Sequence, residues 1–489
     1  MQKPHIVLLI LDSTRSDMLG CYGNADGLTP NIDSLAKNGL VLRNHYAASC
    51  GSAASHVSIF TGQHPARHKM FHNLCEIDAN LYPLPRLLRN YGYRSFGHCK
   101  MSFVPPVGCM DIFGFDELLS PGNMGKHTES LISIAMNRIR AFTPFYMLLK
   151  KLYRRFASPE RQIRMSASLQ DGRASVEYIL DCLKSYGKNS PVFAYSTLLH
   201  PHLPTYPPQV FLDRVFRGKR PHRDAFRIQL SVHAFANGDF GLADEAIDSL
   251  RKLYMADLMY ADYLVGELVS GMSEAGILDK SMVIVTSDHG ELLGEHGCIN
   301  HGAMVWEELF NTPCVIHCPD LLSSTEISRL TSGMDIVPTI FNLMGQESWL
   351  REHVQVDGIS ALADQGGERW LVVDSPPAVL PGRYRRFPNL LKMVNVIRRA
   401  VRTEKYKYVW QSDGDHRLCN IIGDKAEKSN IITHKPMVAS KLRKKMIAFY
   451  RNIDPGFRID RYPIQISRNV RERITDETVR RELAKQGYG

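Results

Sequence analysis

No apolar run in this 489-residue chain is long enough to cross a bilayer, and Met1-Gln2-Lys3-Pro4 leads straight into the first apolar stretch without a cleavable leader. The expectation is a cytoplasmic protein. Ten cysteines are scattered from Cys21 to Cys419 with no paired zinc-ribbon spacing. A chain of this size needs no disulfide staples, so they read as buried, reduced thiols. Internal repeats and low-complexity tracts are absent, and the aromatic residues are not interleaved with Lys and Arg as on RNA-binding surfaces. A nucleic-acid partner is therefore not expected. What is in excess is positive charge, a net +10, which favours an anionic substrate or surface.

The chain is organised around Asn44 to His68, NHYAASCGSAASHVSIFTGQHPARH. It holds two closely spaced hydroxyls, Ser52 and Ser55, in a small-residue turn that feeds a helix. Small residues let backbone and hydroxyl approach a ligand, and a helix N-terminus favours negative charge there. Other stretches point to the same place. His5 to Leu11 is a continuous apolar run ending on Asp12, and Ser281 to Thr286 is a second run followed by Asp288-His289-Gly290-Glu291. Both read as strands covered on two faces. Ligand crevices in open α/β sheets lie at the C-terminal ends of such strands. A third strand, Ser190 to Leu199, runs into His200-Pro201-His202-Leu203-Pro204, and His301-Gly302 follows the second.

Hard carboxylate oxygens and imidazole at converging strand ends suit a divalent metal. Asp12, Asp288 and His289 are the expected ligands, with the Ser52 hydroxyl as a fourth. The ion is Mn, Zn, Mg or Ca, in one copy or two. Ser52 is the expected nucleophile. His202 and His301 are the catalytic imidazoles, with His56 beside them; Arg15, Lys100 and His200 are the weaker substrate contacts.

Taken in order, LDSTRSDMLGCYG, LTPNIDSLAKNGLVLRNHYA, SHVSIFTGQHPARH, HPHLPTYPP, VTSDHGELLGEHG, MDIVPTIFNLMG, TEKYKYVW and RLCNIIGDKAEKSNI resemble the sulfatase branch of the alkaline-phosphatase-like superfamily over nearly the whole chain. The resemblance implies an α/β fold, a large and mostly parallel sheet between helices, with a smaller C-terminal α+β subdomain. It places a catalytic domain at 1–370, with an insertion at about 121–170, and a subdomain plus wrapping tail at 371–489. Sulfatases oxidise a Cys or Ser to formylglycine within C/S-x-P/A-x-R. Here the nucleophile position is Ser52 and the Arg of that motif is His56. The pattern is closest to members that keep an unmodified Ser or Thr, and Asp288-His289 also resembles the phosphate-acting members. The expected activity is hydrolysis, or transfer, of phosphate-type esters through a covalent Ser52 intermediate. The substrate is a small anionic ester, or one linked to a sugar or lipid. Two other readings stand beside it: a sulfatase with Ser52 as formylglycine, and an inactive binding protein on the same fold. The basic amphipathic segment 134–156 is expected to touch an anionic membrane or to form a lid or homo-oligomer contact.

Overall fold

The computed structural model describes residues 3–71, 78, 80–99, 113–119, 158–168, 171–230, 243–364, 366–375 and 395–461. Lys100, the segment 134–156 and most of the 121–170 insertion lie outside the described residues, as does the tail from 462.

The first apolar run forms β1 (His5–Leu11), in which every residue is buried. Its side chains alternate between two cores. Ile6, Leu8 and Ile10 enter one, and Val7, Leu9 and Leu11 the other. A strand apolar on both faces needs cover on both, and burial of each such side chain contributes about 1.5–3 kcal/mol. Seven further strands complete the sheet: β2 (Leu40–Tyr46), β3 (Arg94–Cys99), β4 (Glu117–Leu119), β5 (Val192–Leu198), β6 (Ser281–Thr286), β9 (Cys314–His317) and β10 (Thr325–Ser332). Between β6 and β9 a short hairpin pairs β7 (Leu292–Leu293) with β8 (Ile299–Asn300). The sheet order is β10-β2-β9-β6-β1-β5-β3-β4. All neighbours are parallel except β9, which runs against both β2 and β6.

Two features position the centre of the molecule. The helix Asp244–Glu274 spans 31 residues, and its Asp257, Tyr260 and Asp262 point inward. Asp262 accepts hydrogen bonds from the backbone N–H groups of Asn31 and Ile32 at 3.1 and 2.8 Å. The helix Pro30–Lys37 is thus capped by a neighbouring helix. Thr29, at the N-cap position, makes no side-chain cap bond. Its hydroxyl instead accepts from Gly20 N–H at 3.0 Å.

At the C-terminal end, β11 (Trp370–Ser375), β12 (Arg398–Thr403), β13 (Tyr406–Gln411) and β14 (Arg417–Asn420) form an antiparallel sheet in that order. The helix Pro436–Ile453 packs on β12 and β13. A backbone bridge between Ser49 and Asp374 ties this sheet to the segment that leads into Ser52. All eight described cysteines are free thiols. Among the described residues no helix is long and apolar enough to cross a membrane.

Candidate active site

The register of β1 and β6 sets the site. Ile10 pairs with Thr286, so the residues two places on, Asp12 and Asp288, leave the sheet side by side at its C-terminal edge. Both carboxylates are fully buried. Ser13 takes a left-handed backbone conformation, φ +62°, and its N–H donates to Asp288 Oδ1 at 3.3 Å. Non-glycine residues seldom adopt that region. Tyr254 from the long helix braces the turn, donating to Ser13 C=O at 2.8 Å and accepting from Arg15 N–H at 3.0 Å.

Ser52 is the first residue of the helix Ser52–Thr61, which is buried along its whole length. Its small N-terminal residues let it press against the sheet edge. Ser55 Oγ donates to Asp288 C=O at 2.6 Å, docking the helix onto the strand end that carries Asp288. Ser52 Oγ lies 3.0 Å from His289 Nε2. His289 Nδ1 lies 2.9 Å from Gly290 C=O, which can only accept. The proton is therefore on Nδ1, and Nε2 presents its lone pair to the serine hydroxyl. Burial lowers the His289 pKa, which keeps the ring neutral.

Two more imidazoles face this pair. The ring of His301 is 4.2 Å from that of His289, and the ring of His202 is 5.0 Å from that of His301. Behind them stands Glu291, fully buried, with its carboxylate oxygens 3.1 and 3.3 Å from His301 Nδ1. Burial pushes Glu291 up to about 7, and burial with His202 pushes His301 down to about 3. Glu291 was not among the expected site residues. The signal was present: it ends the Asp-His-Gly-Glu run and precedes His301 by ten residues.

The remaining candidates are placed differently. His56 is buried one helical turn below Ser52, with Nδ1 2.7 Å from Ser52 C=O and Nε2 3.0 Å from Thr197 Oγ1. Both ring nitrogens are thus engaged, and His56 supports the backbone of Ser52. His200 turns away to the long helix, with Nδ1 2.9 Å from Asp257 Oδ1. Arg15 bonds Asp17 at 2.7 Å and Glu295 at 2.9 Å, so its guanidinium is already ion-paired.

The residues fit a divalent cation. Ligand atoms of Asp12, Asp288 and His289 all lie within 4.8 Å of one another. Asp12 Oδ2 and Asp288 Oδ2 are buried without a hydrogen-bond partner, an arrangement that costs free energy unless a cation is supplied. Burial and the neighbouring Asp288 push Asp12 well above the usual carboxylate range. Among the described residues no Lys or Arg side chain comes within 4.0 Å of either carboxylate. A bound ion reverses that electrostatic balance.

Known proteins resemble this chain in sequence and in fold. The family model for sulfatases matches residues 4–346. A choline-sulfatase of Rhizobium meliloti (strain 1021) is 25% identical over 457 residues, covering 88% of this chain and 82% of its own. The multifunctional alkaline phosphatase superfamily protein PehA of Trinickia caryophylli is 24% identical over 397 residues, covering 71% and 75%. Among solved structures, the phosphonate monoester hydrolase of Agrobacterium radiobacter superposes with a TM-score of 0.67 at 19% identity, covering 92% of this chain and 96% of that one.

Proposed function

Because the chain belongs to the sulfatase family of hydrolases of sulfuric or phosphoric esters, we propose that it cleaves phosphate-type esters through a covalent intermediate on an unmodified Ser52. The observation that carries this reading is Ser52 Oγ at 3.0 Å from the His289 lone pair, at the open edge of the Asp12/Asp288 pair. Asp12, Asp288, His289 and Ser52 would hold the divalent ion. When bound, it supplies positive charge that lowers the pKa of the serine hydroxyl and neutralises charge developing on the ester.

The chain's own residues do the rest. Ser52 Oγ, as the alkoxide at a helix N-terminus, forms a bond to phosphorus while the bond to the leaving oxygen breaks. An imidazole from the His202/His301 pair gives its proton to that oxygen. Water, or an acceptor alcohol, then attacks the seryl ester and gives a proton back to the same imidazole. Ser52 is displaced and the starting state returns. Two features favour unmodified serine. His56 occupies the place of the Arg in the maturation motif, and its ring is locked against Ser52 C=O and Thr197.

The test is one rate panel: nitrophenyl phosphate, a phosphodiester, a phosphonate monoester and a sulfate, each with Mn, Zn, Mg and Ca, for wild type and Ser52→Ala. Dominant phosphodiester or phosphonate turnover that needs Ser52 supports the reading. Dominant sulfate turnover, with peptide mass spectrometry showing Ser52 as formylglycine, replaces it by the sulfatase reading.

A further inference from the structure

We propose that Glu291 is a positioning residue that holds His301 in one orientation and one tautomer, with Nε2 turned to the leaving-group oxygen, so that His301 and not His202 is the proton donor. This deepens, and rests on, the Ser52 reading above.

The hairpin explains how the pair arises. Leu292 pairs with Asn300, and Leu293 with Ile299. Extending that register by one residue places Glu291 opposite His301, where cross-strand side chains meet. The strand end that carries His289 thus continues directly into the carboxylate that aims His301. The Asn300 side chain accepts from His301 N–H at 2.8 Å, which fixes the end of the return strand.

The partners of Glu291 define its role. Among the described residues its carboxylate has no Lys or Arg within 4.0 Å, and its ion-pair partner is His301. A buried carboxylate whose ion-pair partner is an imidazole costs stability where no cation compensates it. What it contributes is geometry. An oxygen 3.1 Å from Nδ1 keeps a proton on that nitrogen and leaves Nε2 to face the cleft. His202 packs edge-on against His301 with ring centroids 5.0 Å apart and limits its rotation. Before the transfer the Glu291/His301 pair holds two protons, one shared between the carboxylate and Nδ1 and one on Nε2. The Nε2–H bond then breaks, the leaving oxygen gains that proton as its bond to phosphorus breaks, and the shared proton stays between Nδ1 and Glu291.

The experiment uses the metal-loaded full chain and aryl phosphodiesters whose leaving groups span several pKa units. The variants are Glu291→Gln, His301→Ala, His202→Ala and the double variant of Glu291→Gln with His301→Ala. Glu291→Gln is expected to lower kcat/KM by about 10–100-fold on the poorest leaving group, and by less than about 3-fold on the best. On the His301→Ala background it is expected to add less than about 2-fold, because the group it aims is gone. His202→Ala is expected to lower all substrates alike. A Glu291→Gln loss that is uniform across leaving groups, or that adds in full to His301→Ala, overturns the proposal. So does His202→Ala reproducing the leaving-group dependence. If Glu291→Gln does not fold, Glu291→Asp keeps the charge and retracts it. It should show the same steepened dependence, and a wild-type dependence overturns the idea. Ser52→Ala in the same panel separates the two levels. Full turnover without Ser52 removes the covalent reading, whereas a dead Ser52→Ala beside a uniform Glu291→Gln removes only the role of Glu291.

Discussion

Among the described residues, two of the buried clusters of charge are built on opposite rules. The first joins the main sheet to the C-terminal sheet. Lys407 Nζ lies 3.1 Å from Glu307 and 3.0 Å from Glu427, and Arg402 Nε lies 3.2 Å from Glu307. Tyr46 donates to Glu307 at 2.7 Å, and the backbone N–H of Glu307 donates to Glu427, also at 2.7 Å. Two carboxylates meet two cations, and the set is neutral. Burial would raise Glu307, but Lys407 and Arg402 hold it down to about 2. The second cluster gathers Asp12, Asp288 and Glu291, and among the described residues histidines are the only side chains that pair with them as ions. Burial alone does not distinguish the two. Charge balance does: the closed cluster is complete within the chain, and the open one calls for a cation from outside.

The largest expected effect breaks the open cluster chemically. Ser52→Ala should lower kcat/KM by at least about 10⁴-fold, as removal of a covalent nucleophile does. Its melting temperature should stay near wild type. Asp288→Asn should abolish metal-dependent turnover and weaken Mn binding in calorimetry. It should also remove the stabilisation by metal, which at 100-fold excess over Kd is about 2.7 kcal/mol. With chelator present the sign reverses. The variant should then be at least as stable as wild type, because one of two adjacent buried carboxylates is gone. A chelated Asp288→Asn protein less stable than wild type would mean that the open cluster is neutralised from within.

Next in size is the closed cluster. Lys407→Met strands Glu307 and Glu427 in the interior, so unfolding should be easier by about 3–5 kcal/mol. Metal affinity should be unchanged, and turnover per folded molecule should stay within about 2-fold. Chemical denaturation beside Mn titration reads both. A loss of metal affinity in Lys407→Met would show that the two clusters share one electrostatic network.

Much of this was legible in the residues. A seven-residue apolar run ending before Asp12, and a second ending before Asp288-His289, led to strand ends and to a candidate metal site at the sheet's edge, and the family order of the segments led to the fold. His301 and His202 stand beside His289 in space, though far from each other in the chain. What was hidden depends on pairing between distant segments. Nothing local indicates that His200 faces Asp257, 57 residues away, while His202, two residues on, packs against His301. Arg15 reads as an anion contact until Glu295, 280 residues on, is placed against it. Glu291 was within the quoted motif, but its function needs the hairpin register, which two strands of two residues each are too short to announce. The cap on helix Pro30–Lys37 comes from Asp262 on another helix, a partner far away in the chain that no local pattern announces.

The smallest effect sharpens the comparison most, because the same change is made in each cluster. Tyr46→Phe removes one hydroxyl from the closed set. That hydroxyl donates to Glu307 and accepts from Arg402 at 2.9 Å. The ion pairs around it remain, so the cost should be about 1 kcal/mol, with activity untouched. Ser55→Ala removes one hydroxyl from the open set, where it bonds Asp288 C=O at 2.6 Å. Its cost in stability should be similar, about 1 kcal/mol. Its consequence should differ, because that bond holds the nucleophile's helix against a metal-ligand strand end. A shift of Ser52 by a fraction of an ångström misaligns attack, so kcat should fall by roughly 10-fold while KM changes little. Paired denaturation curves and steady-state kinetics read both variants. Equal stability losses with unequal kcat losses would mark the first cluster as scaffold and the second as machinery. Equal losses in both measurements would show that the distinction drawn from charge balance does not extend to the hydroxyls that support each cluster.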